Sequence, residues 1–366
     1  MLLKELVKII ESKYSPNLAY EWDNVGLLVG DYGSGVKRVL LALDADESVI
    51  EEAVERGVDI IITHHPFLFK GMKKINSSSY RGRAVIRLIK EDISLYSMHT
   101  NFDIARDGLN DGLCRKMGLK NIEDLSIIQA EKLVKIAIYA PKTHEDAVRR
   151  ALAEGGAGHI GNYDSCSFST DGVGRFRPLE GSNPHVGRKD MVCDIEEVKI
   201  ESVLPKEKLN SALEHVFSVH PYEEVAYDMY ELLNEGDSIG IGRIGETERE
   251  VGLEEFAEGL KRGLDIELLK IAGDPKMNVK RVAVVSGSGS EFMGESVKKG
   301  AQVIVTGDVK YHQAQEALEK GIAVVDVGHY GSEKIFAEIM SEFLKGSTKG
   351  VEILTSNASS DVFWSI

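Results

Sequence analysis

Two stretches of the chain, VKRVLLALDA at residues 36–45 and VKRVAVVSGSG at residues 279–289, decide the expected fold because they open an internal repeat. The first continues to GVDIIITHH at residues 57–65 and the second to GAQVIVTGD at residues 300–308, with a constant offset of 243 residues. Each copy places short runs rich in Val and Ile on either side of a segment with helical periodicity, which is typical of parallel strands buried on both faces. The repeat predicts a duplicated, two-part α/β core.

The repeat extends to one further strand in each half, and each of these strands ends in a histidine followed four residues later by a carboxylate. SLYSMHTNFD carries His99 and Asp103, and AVVDVGHYGSE carries His329 and Glu333. The offset between these pairs is 230 residues, so the first half holds 13 additional residues. We expect them around the Gly/Ser/Lys-rich loop GMKKINSSSYRG at residues 71–82.

The composition limits the class of protein. The chain has 366 residues, 44 Lys and Arg against 59 Asp and Glu, and a formal net charge of −15. An acidic chain is poorly suited to neutralise phosphates, so DNA is not an expected partner. Three sparse cysteines and the lack of a long apolar run favour a cytoplasmic protein without disulfides or a membrane span. The N-terminal MLLKELVKIIESKYS predicts an amphipathic helix and not a signal peptide.

Residues 129–236 differ in character from the repeat and predict an inserted domain. They contain a strand, a helix, two strands across YDSCSFSTDGVGRFRP, a long strand, a helix and a last strand. This pattern favours the β-α-β-β-α-β order of a ferredoxin-like α+β module. Because such a module is tolerated where its ends lie close together, residues 1–128 and 237–366 are expected to form the two halves of one core.

Histidines and carboxylates follow three of the predicted strands in the two halves. His64 and His65 come directly after DIIIT, at the carboxyl end of a strand, where open α/β sheets bind ligands. A lone histidine there is usually a satisfied polar residue, but its repetition with a carboxylate favours a metal site. The candidate ligands are too many for one tetrahedral zinc ion and suit two bridged divalent ions of zinc, iron or manganese, roughly 3.5–4 Å apart. These ligands are His64, His65, Asp103, His329 and Glu333.

Three other stretches give weaker signals. Asp308 and His312 stand four residues apart at an expected helix start. They fit a third metal pair, an acid/base group, or a helix cap with a surface histidine, and contact with a metal ligand or proton transfer is the favoured role. The loop SGSGSE at residues 286–291 fits either a phosphate cradle or, more ordinarily, a tight turn. EWDNVGLLVGD at residues 21–31 fits a pocket wall or a hairpin buried by its tryptophan. No serine-hydrolase elbow is present in the sequence.

The motifs together resemble those of the Ngg-interacting-factor-three-like family, whose members are also known as GTP cyclohydrolase I type-two homologues. The resemblance covers essentially the whole chain and rests on EWDNVGLLVGD, ITHHPFLFKGMKKI, SMHTNFDIARDGLN, GIGRIGE, VTGDVKYH and VGHYGSE. Within the inserted segment, FRPLEGSNPHVG and HPYEEVAYDMYEL are similar to the PII/CutA-like insert of the longer bacterial members.

The resemblance implies a binuclear metal centre in a ring-shaped homohexamer, such as a trimer of dimers. It also implies that the family's ligands are the same five residues, and that His99 lines the inner pocket without binding metal directly. The first half supplies two adjacent histidines at a place where the second half has none. One metal site built from both halves is therefore expected.

The leading functional hypothesis is a binuclear-metal-dependent hydrolase of a small molecule, with a nucleotide such as GTP as the expected substrate. Metal-activated water would attack a purine ring or a related C–N bond, as in a GTP cyclohydrolase. His99 or His312 would then transfer protons as a catalytic residue. The alternative hypothesis is a metal-binding regulatory or scaffold protein without turnover, since the insert resembles signalling modules.

Overall fold

The computed structural model describes residues 1–364, which form two compact units. The first unit contains Met1–Ile128 and the chain from Ile239 onward, and the second contains Gln129–Ser238. Among the described residues, no helix has the length and apolar character needed to cross a membrane.

The elements of the fold alternate between helices and strands along most of the chain. The helices are α1 (Leu3–Lys13), α2 (Glu47–Glu55), α3 (Tyr80–Lys90), α4 (Thr100–Ile104), α5 (Leu109–Lys116), α6 (Glu145–Glu154), α7 (Leu209–Val219), α8 (Leu253–Leu264), α9 (Met293–Lys298), α10 (Tyr311–Glu319), α11 (His329–Glu333) and α12 (Phe336–Ser347). The strands are β1 (Gly26–Val29), β2 (Arg38–Ala42), β3 (Ile60–Thr63), β4 (Ser94–Ser97), β5 (Lys120–Pro141), β6 (Phe168–Phe176), β7 (Cys193–Pro205), β8 (Tyr227–Gly252), β9 (Lys270–Ala272), β10 (Asn278–Val284), β11 (Val303–Thr306), β12 (Ala323–Asp326) and β13 (Glu352–Thr355).

The first unit contains a parallel three-stranded centre in each of its two halves. In the first half the strand order is β1-β4-β3-β2-β13, with β2, β3, β4 and β13 parallel and β1 antiparallel to β4. In the second half β10, β11 and β12 are parallel, with β8 and β9 antiparallel at the two sides. The predicted α/β class with two similar halves is confirmed.

The central strands are rich in apolar residues because both of their faces are buried. In β2, Val39 and Leu41 pack into one hydrophobic core, whereas Leu40 and Ala42 pack into another. The first core joins residues of both halves to α1, α5, α8 and α12. Helices α2 and α3 cover the other face of the first sheet, and α9 and α10 cover the other face of the second. Side chains of alternating direction along a strand explain this division.

The second unit runs β5, α6, β6, β7, α7 and β8, with β7 antiparallel to both β5 and β6. Helices α6 and α7 pack against apolar residues of β5 and β7. The prediction of two strands across YDSCSFSTDGVGRFRP is wrong, because only Phe168–Phe176 forms a strand. Positive φ angles at Gly161 (55°) and Ser165 (54°) bend the chain before it. The ferredoxin-like and PII/CutA-like descriptions of this unit stay predictions.

A buried arginine ties the GIGRIGE segment to the start of α5 in the first unit. The side chain of Arg243 is fully buried and forms a bidentate pair with Asp111, at 2.6 and 3.2 Å. The same guanidinium donates to the carbonyl oxygens of Gly240 and Gly242, and to those of Ile104 and Ala105. Because Ile104 and Ala105 directly follow Asp103, this one side chain fixes the backbone next to a predicted ligand.

We expect Arg243→Met to lower the free energy of unfolding by about 3–5 kcal/mol, because the substitution leaves the carboxylate of Asp111 buried without its partner. Arg249→Met is the matched control, since Arg249 pairs with Glu255 at the surface and contributes at most about 1 kcal/mol. Urea unfolding followed by tryptophan fluorescence measures both variants. Equal stability losses in the two variants would contradict this assignment.

Candidate metal centre

The five predicted ligands lie at the carboxyl ends of parallel strands in the two halves of the first unit. His64 and His65 follow β3, and Asp103 lies on α4 after β4. His329 and Glu333 begin and end α11, which follows β12. The short helices α4 and α11 therefore present the carboxylates at corresponding positions of the repeat, at the edge where α/β sheets bind ligands.

The carboxylate of Glu333 lies between two groups of side chains. Its Oε2 atom lies 2.8 Å from His65 Nε2 and 3.1 Å from His329 Nε2. Its Oε1 atom lies 3.7 Å from His64 Nε2, which is also 3.7 Å from Asp103 Oδ1. One ligand atom from each of His64, His65 and Glu333 lies within 4.8 Å of the others. The structure thus brings all five residues together, with one oxygen of Glu333 facing each group.

The imidazole of His64 has one satisfied nitrogen and one unsatisfied nitrogen. Its Nδ1 atom donates to the carbonyl oxygen of Met98 at 2.8 Å. Its Nε2 atom is buried and has no hydrogen-bond partner within residues 1–364. Such an orphaned buried polar atom costs about 1–3 kcal/mol. A nitrogen lone pair facing two carboxylate oxygens is a donor set that fits a divalent cation.

Carboxylates outside the predicted ligand set orient the other two histidines. Asp44 Oδ1 lies 2.9 Å from His65 Nδ1, and Asp308 Oδ2 lies 2.8 Å from His329 Nδ1. Hydrogen bonds from Nδ1 fix each ring so that Nε2 faces Glu333. Contacts of this kind hold metal-binding histidines in one orientation and tautomer.

The electrostatics of the cluster favour positive charge. Burial opposes the charged form of His65, but hydrogen bonds to Asp44 and Glu333 outweigh it and raise the pKa of His65 to about 10. The hydrogen bond to Glu333 likewise raises the pKa of His329 to about 9. Although burial opposes its charge, neighbouring histidines hold the pKa of Glu333 well below its usual range. Burial raises the pKa of Asp103, with Glu333 adding to the effect and His64 opposing it.

His99 lies beside the cluster and is oriented by a buried carboxylate. Its ring centroid lies 5.4 Å from that of His64 and 5.9 Å from that of His65. Its Nδ1 atom lies 2.9 Å from Asp23 Oδ1, and the other oxygen of Asp23 accepts from the amide of Thr100. Burial opposes ionisation of Asp23, but hydrogen bonds from His99 and Thr100 outweigh it and lower the pKa to about 2. Asp23 therefore fixes the orientation of the His99 ring through its Nδ1 atom.

The prediction that Asp308 and His312 share a helix start is wrong. Asp308 lies before α10 with a left-handed φ of 54°, and it pairs with His329. His312 is an exposed residue on α10 whose Nδ1 atom contacts Gln315 at 3.0 Å. The left-handed backbone at Asp308 turns the chain, so the two side chains do not share a helical face.

The amides of the loop at residues 286–291 are used within the fold. The amide of Gly287 donates to Ser332 Oγ at 2.9 Å, and that of Gly289 donates to Thr306 Oγ1 at 2.8 Å. This arrangement matches a tight turn and leaves these two amides unable to hold a phosphate. The close packing of the loop also limits the space around the nearby side chain of Glu333.

Sequence and structural relatives identify the family. The sequence model of DUF34/NIF3 (NGG1p interacting factor 3) matches residues 1–361. A GTP cyclohydrolase 1 type 2 homolog of Halalkalibacterium halodurans is 40% identical over 362 residues, which cover 98% of this chain and 97% of that protein. The chain belongs to the DUF34/NIF3 family. The corresponding protein of Bacillus subtilis is 39% identical over 365 residues, covering 98% of this chain and 97% of that one.

A solved structure extends the likeness of this DUF34/NIF3 chain to its fold. The crystal structure of a Bacillus cereus protein related to NIF3 matches with a TM-score of 0.86 and 38% sequence identity. The match covers 100% of this chain and 99% of the Bacillus cereus chain. The fold of this chain is therefore shared with a family member of known structure.

Some residues of this DUF34/NIF3 site were missed at the level of sequence. Asp44 follows β2 as His65 follows β3, so its place after a repeated strand was an available signal. Ser286 donates to Asp103 Oδ1 at 2.9 Å, but a serine in a glycine-rich loop carries no pattern that predicts this role. Asp23 belongs to the EWDNVGLLVGD stretch, but no sequence pattern links it to His99, with which it pairs.

We expect Gly287→Ala to weaken divalent-metal binding by roughly 10- to 100-fold, the range seen when a group supporting a ligand is altered. Gly287 has a φ of +59°, and a Cβ atom there would lie 2.4 Å from Glu333 Oε1. Calorimetric titration with Zn²⁺ measures the affinity.

Gly294→Ala is the matched control, because a Cβ atom at this α9 position meets no atom within 4 Å. Its metal affinity is expected to equal that of the unaltered protein. Unchanged affinity in Gly287→Ala would show that Glu333 does not depend on the close approach of this loop.

Proposed function

We propose that the protein is a binuclear-metal-dependent hydrolase of a small molecule. His64, Asp103 and Glu333 would hold one divalent ion, and His65, His329 and Glu333 the other. The observation that carries this proposal is the position of Glu333, whose two carboxylate oxygens face two separate sets of donor atoms. A bridging carboxylate between two such sets is typical of paired metal ions.

The donor set fits zinc, iron or manganese. Imidazole nitrogens and carboxylate oxygens are borderline and hard ligands, and no thiolate contributes to the cluster. The unsatisfied Nε2 atom of His64 supports an ion on its side of Glu333. When bound, divalent ions at such a centre act as Lewis acids and lower the pKa of water towards ~7.

His99 would transfer protons during the reaction. The carboxylate of Asp23 accepts a hydrogen bond from Nδ1 of His99, and the His99 ring lies beside those of His64 and His65, with centroids 5.4 and 5.9 Å away. His312 is a weaker candidate for this role, since its ring contacts Gln315 and Tyr311 at the surface. We therefore assign the proton transfer proposed from the sequence to His99.

The substrate proposal follows from the name of the relatives, GTP cyclohydrolase 1 type 2 homolog. A GTP cyclohydrolase adds water to the imidazole ring of guanine, breaks ring C–N bonds and releases formate. We propose hydrolysis of a C–N bond in a purine or a related ring at this centre. The low pKa of Glu333 favours positive charge beside it and so supports bound divalent ions. Such ions would also attract an anionic nucleotide, although the formal net charge of the chain is −15.

We expect the metal-loaded protein to bind two divalent ions per chain and Glu333→Gln to lose both, because a neutral amide cannot bridge two cations. Asp103→Asn is expected to lose only the ion on the side of His64. His312→Gln is the control and should retain both ions. Native mass spectrometry after loading with Zn²⁺ counts the ions, and one ion in the unaltered protein would contradict a binuclear centre.

We expect His99→Gln to lower formate release from GTP by about 10²–10⁴-fold while both ions stay bound, because only the proton-transfer group is lost. His312→Gln is the matched control for removal of an imidazole and should keep full activity. Rates of formate release are measured alongside the metal content of each variant. Turnover by His99→Gln equal to that of the unaltered protein would exclude this role for His99.

A further inference from the structure

We propose that a group of aromatic rings beside the proposed metal centre, of which Trp22 and Phe69 are exposed, binds the flat heteroaromatic ring of the substrate by stacking. This aromatic cluster consists of Tyr20, Trp22, Phe69 and His99. The proposal rests on the proposed function for the position of the reaction, and it adds the substrate class and the residues that recognise it.

The rings of the aromatic cluster surround Trp22. Tyr20 stacks on Trp22 with centroids 5.5 Å apart and an interplanar angle of 20°. Phe69 lies 5.9 Å from Trp22, and His99 lies 6.2 Å from Trp22 and 6.4 Å from Phe69. Because Tyr20 supports one face of Trp22, the indole is held in place without being covered.

Two rings of the cluster, Trp22 and Phe69, are exposed side by side. Trp22 is 58% exposed and Phe69 is 42% exposed, so the expectation of a hairpin buried by its tryptophan is wrong. The physical reason is that β1 pairs with β4 rather than with a neighbouring hairpin strand, and Trp22 lies in the segment before β1. Exposed aromatic rings next to a site usually serve binding.

The chain on both sides of the exposed rings is held rigidly. Asn24 Nδ2 donates to the carbonyl oxygen of Leu68 at 2.6 Å, which joins the segment of Trp22 to that of Phe69. The side chain of Asp23, between Trp22 and Asn24, is fully buried against His99 and Thr100. Fixed backbones and exposed rings form a preorganised surface, which lowers the entropic cost of binding.

The position of the cluster indicates what it binds. His99 belongs to the cluster and also lies 5.4 Å from His64 and 5.9 Å from His65, measured between ring centroids. A flat ring in contact with Trp22 and Phe69 would thus have one of its edges next to the proposed metal centre. Offset or edge-to-face contacts of 4.5–7 Å suit aromatic partners, and every nucleobase offers such a face. We therefore assign the cluster to a heteroaromatic ring.

Fluorescence of Trp22 tests this assignment directly. The chain contains two tryptophans, so Trp364→Phe leaves Trp22 as the only indole reporter. Guanosine is the probe, because it carries the flat ring without phosphates that bind metal ions. Ribose is the control ligand without a flat ring. We expect saturable quenching by guanosine, with or without loaded Zn²⁺, and no quenching by ribose.

Substitutions separate stacking from general apolar contact. By calorimetry, Trp22→Leu and Phe69→Leu should each weaken guanosine binding by at least about five-fold, while Trp22→Phe, which keeps a ring, retains more of the affinity. Tyr32→Leu is the matched control, since Tyr32 is an exposed aromatic residue outside the cluster. Zinc stoichiometry should be the same in all four variants.

The possible outcomes distinguish the cluster from the metal centre. Loss of guanosine binding in Trp22→Leu, with zinc binding intact, supports the proposal. Guanosine quenching of Trp22 in protein that binds no zinc also supports it, and that result would refute only the proposed function. Equal guanosine affinity in Trp22→Leu and Tyr32→Leu would overturn the proposal. A smaller oligomer in Trp22→Leu with unchanged guanosine affinity would also overturn it, and would assign the rings to contacts between copies of the chain.

Discussion

The position of the Glu333 carboxylate is the constraint on which the site depends. It is buried and lies between His64 on one side and His65 and His329 on the other. A buried carboxylate is stable only when positive charge or hydrogen bonds compensate it. Because Glu333 and His329 come from the second half of the core and His64 and His65 from the first, the compensation requires both halves to be folded together.

The surrounding structure limits the movement of each group at this centre. The left-handed turn at Gly287 leaves just enough space for the carboxylate of Glu333. Arg243 holds the carbonyl oxygens after Asp103, and carboxylates at Asp44 and Asp308 orient two imidazoles. A site built on strand ends and short helices, with each proposed ligand held by a second contact, is preorganised for the ions that we propose.

The repeat predicted the α/β core because short apolar runs that alternate with helical segments are typical of parallel strands buried on both faces. It also predicted the meeting of the five ligands, since corresponding strand ends share one edge of a sheet. The partners of those ligands were harder to predict. Asp44 and Asp308 are single carboxylates whose roles depend on the direction of a loop, and aspartate tolerates the φ of 54° found at Asp308 without requiring it. The exposure of Trp22 depends on which strand β1 pairs with, which spacing alone does not determine.

Anomalous diffraction from crystals of the zinc-loaded protein is the most direct measurement of the central claim that Glu333 bridges two ions. Data recorded on either side of the zinc absorption edge locate each ion without reference to activity. Two anomalous peaks should appear, roughly 3.5–4 Å apart, one beside His64 and Asp103 and one beside His65 and His329. A single peak at this position, or two peaks that do not share Glu333, would contradict the claim.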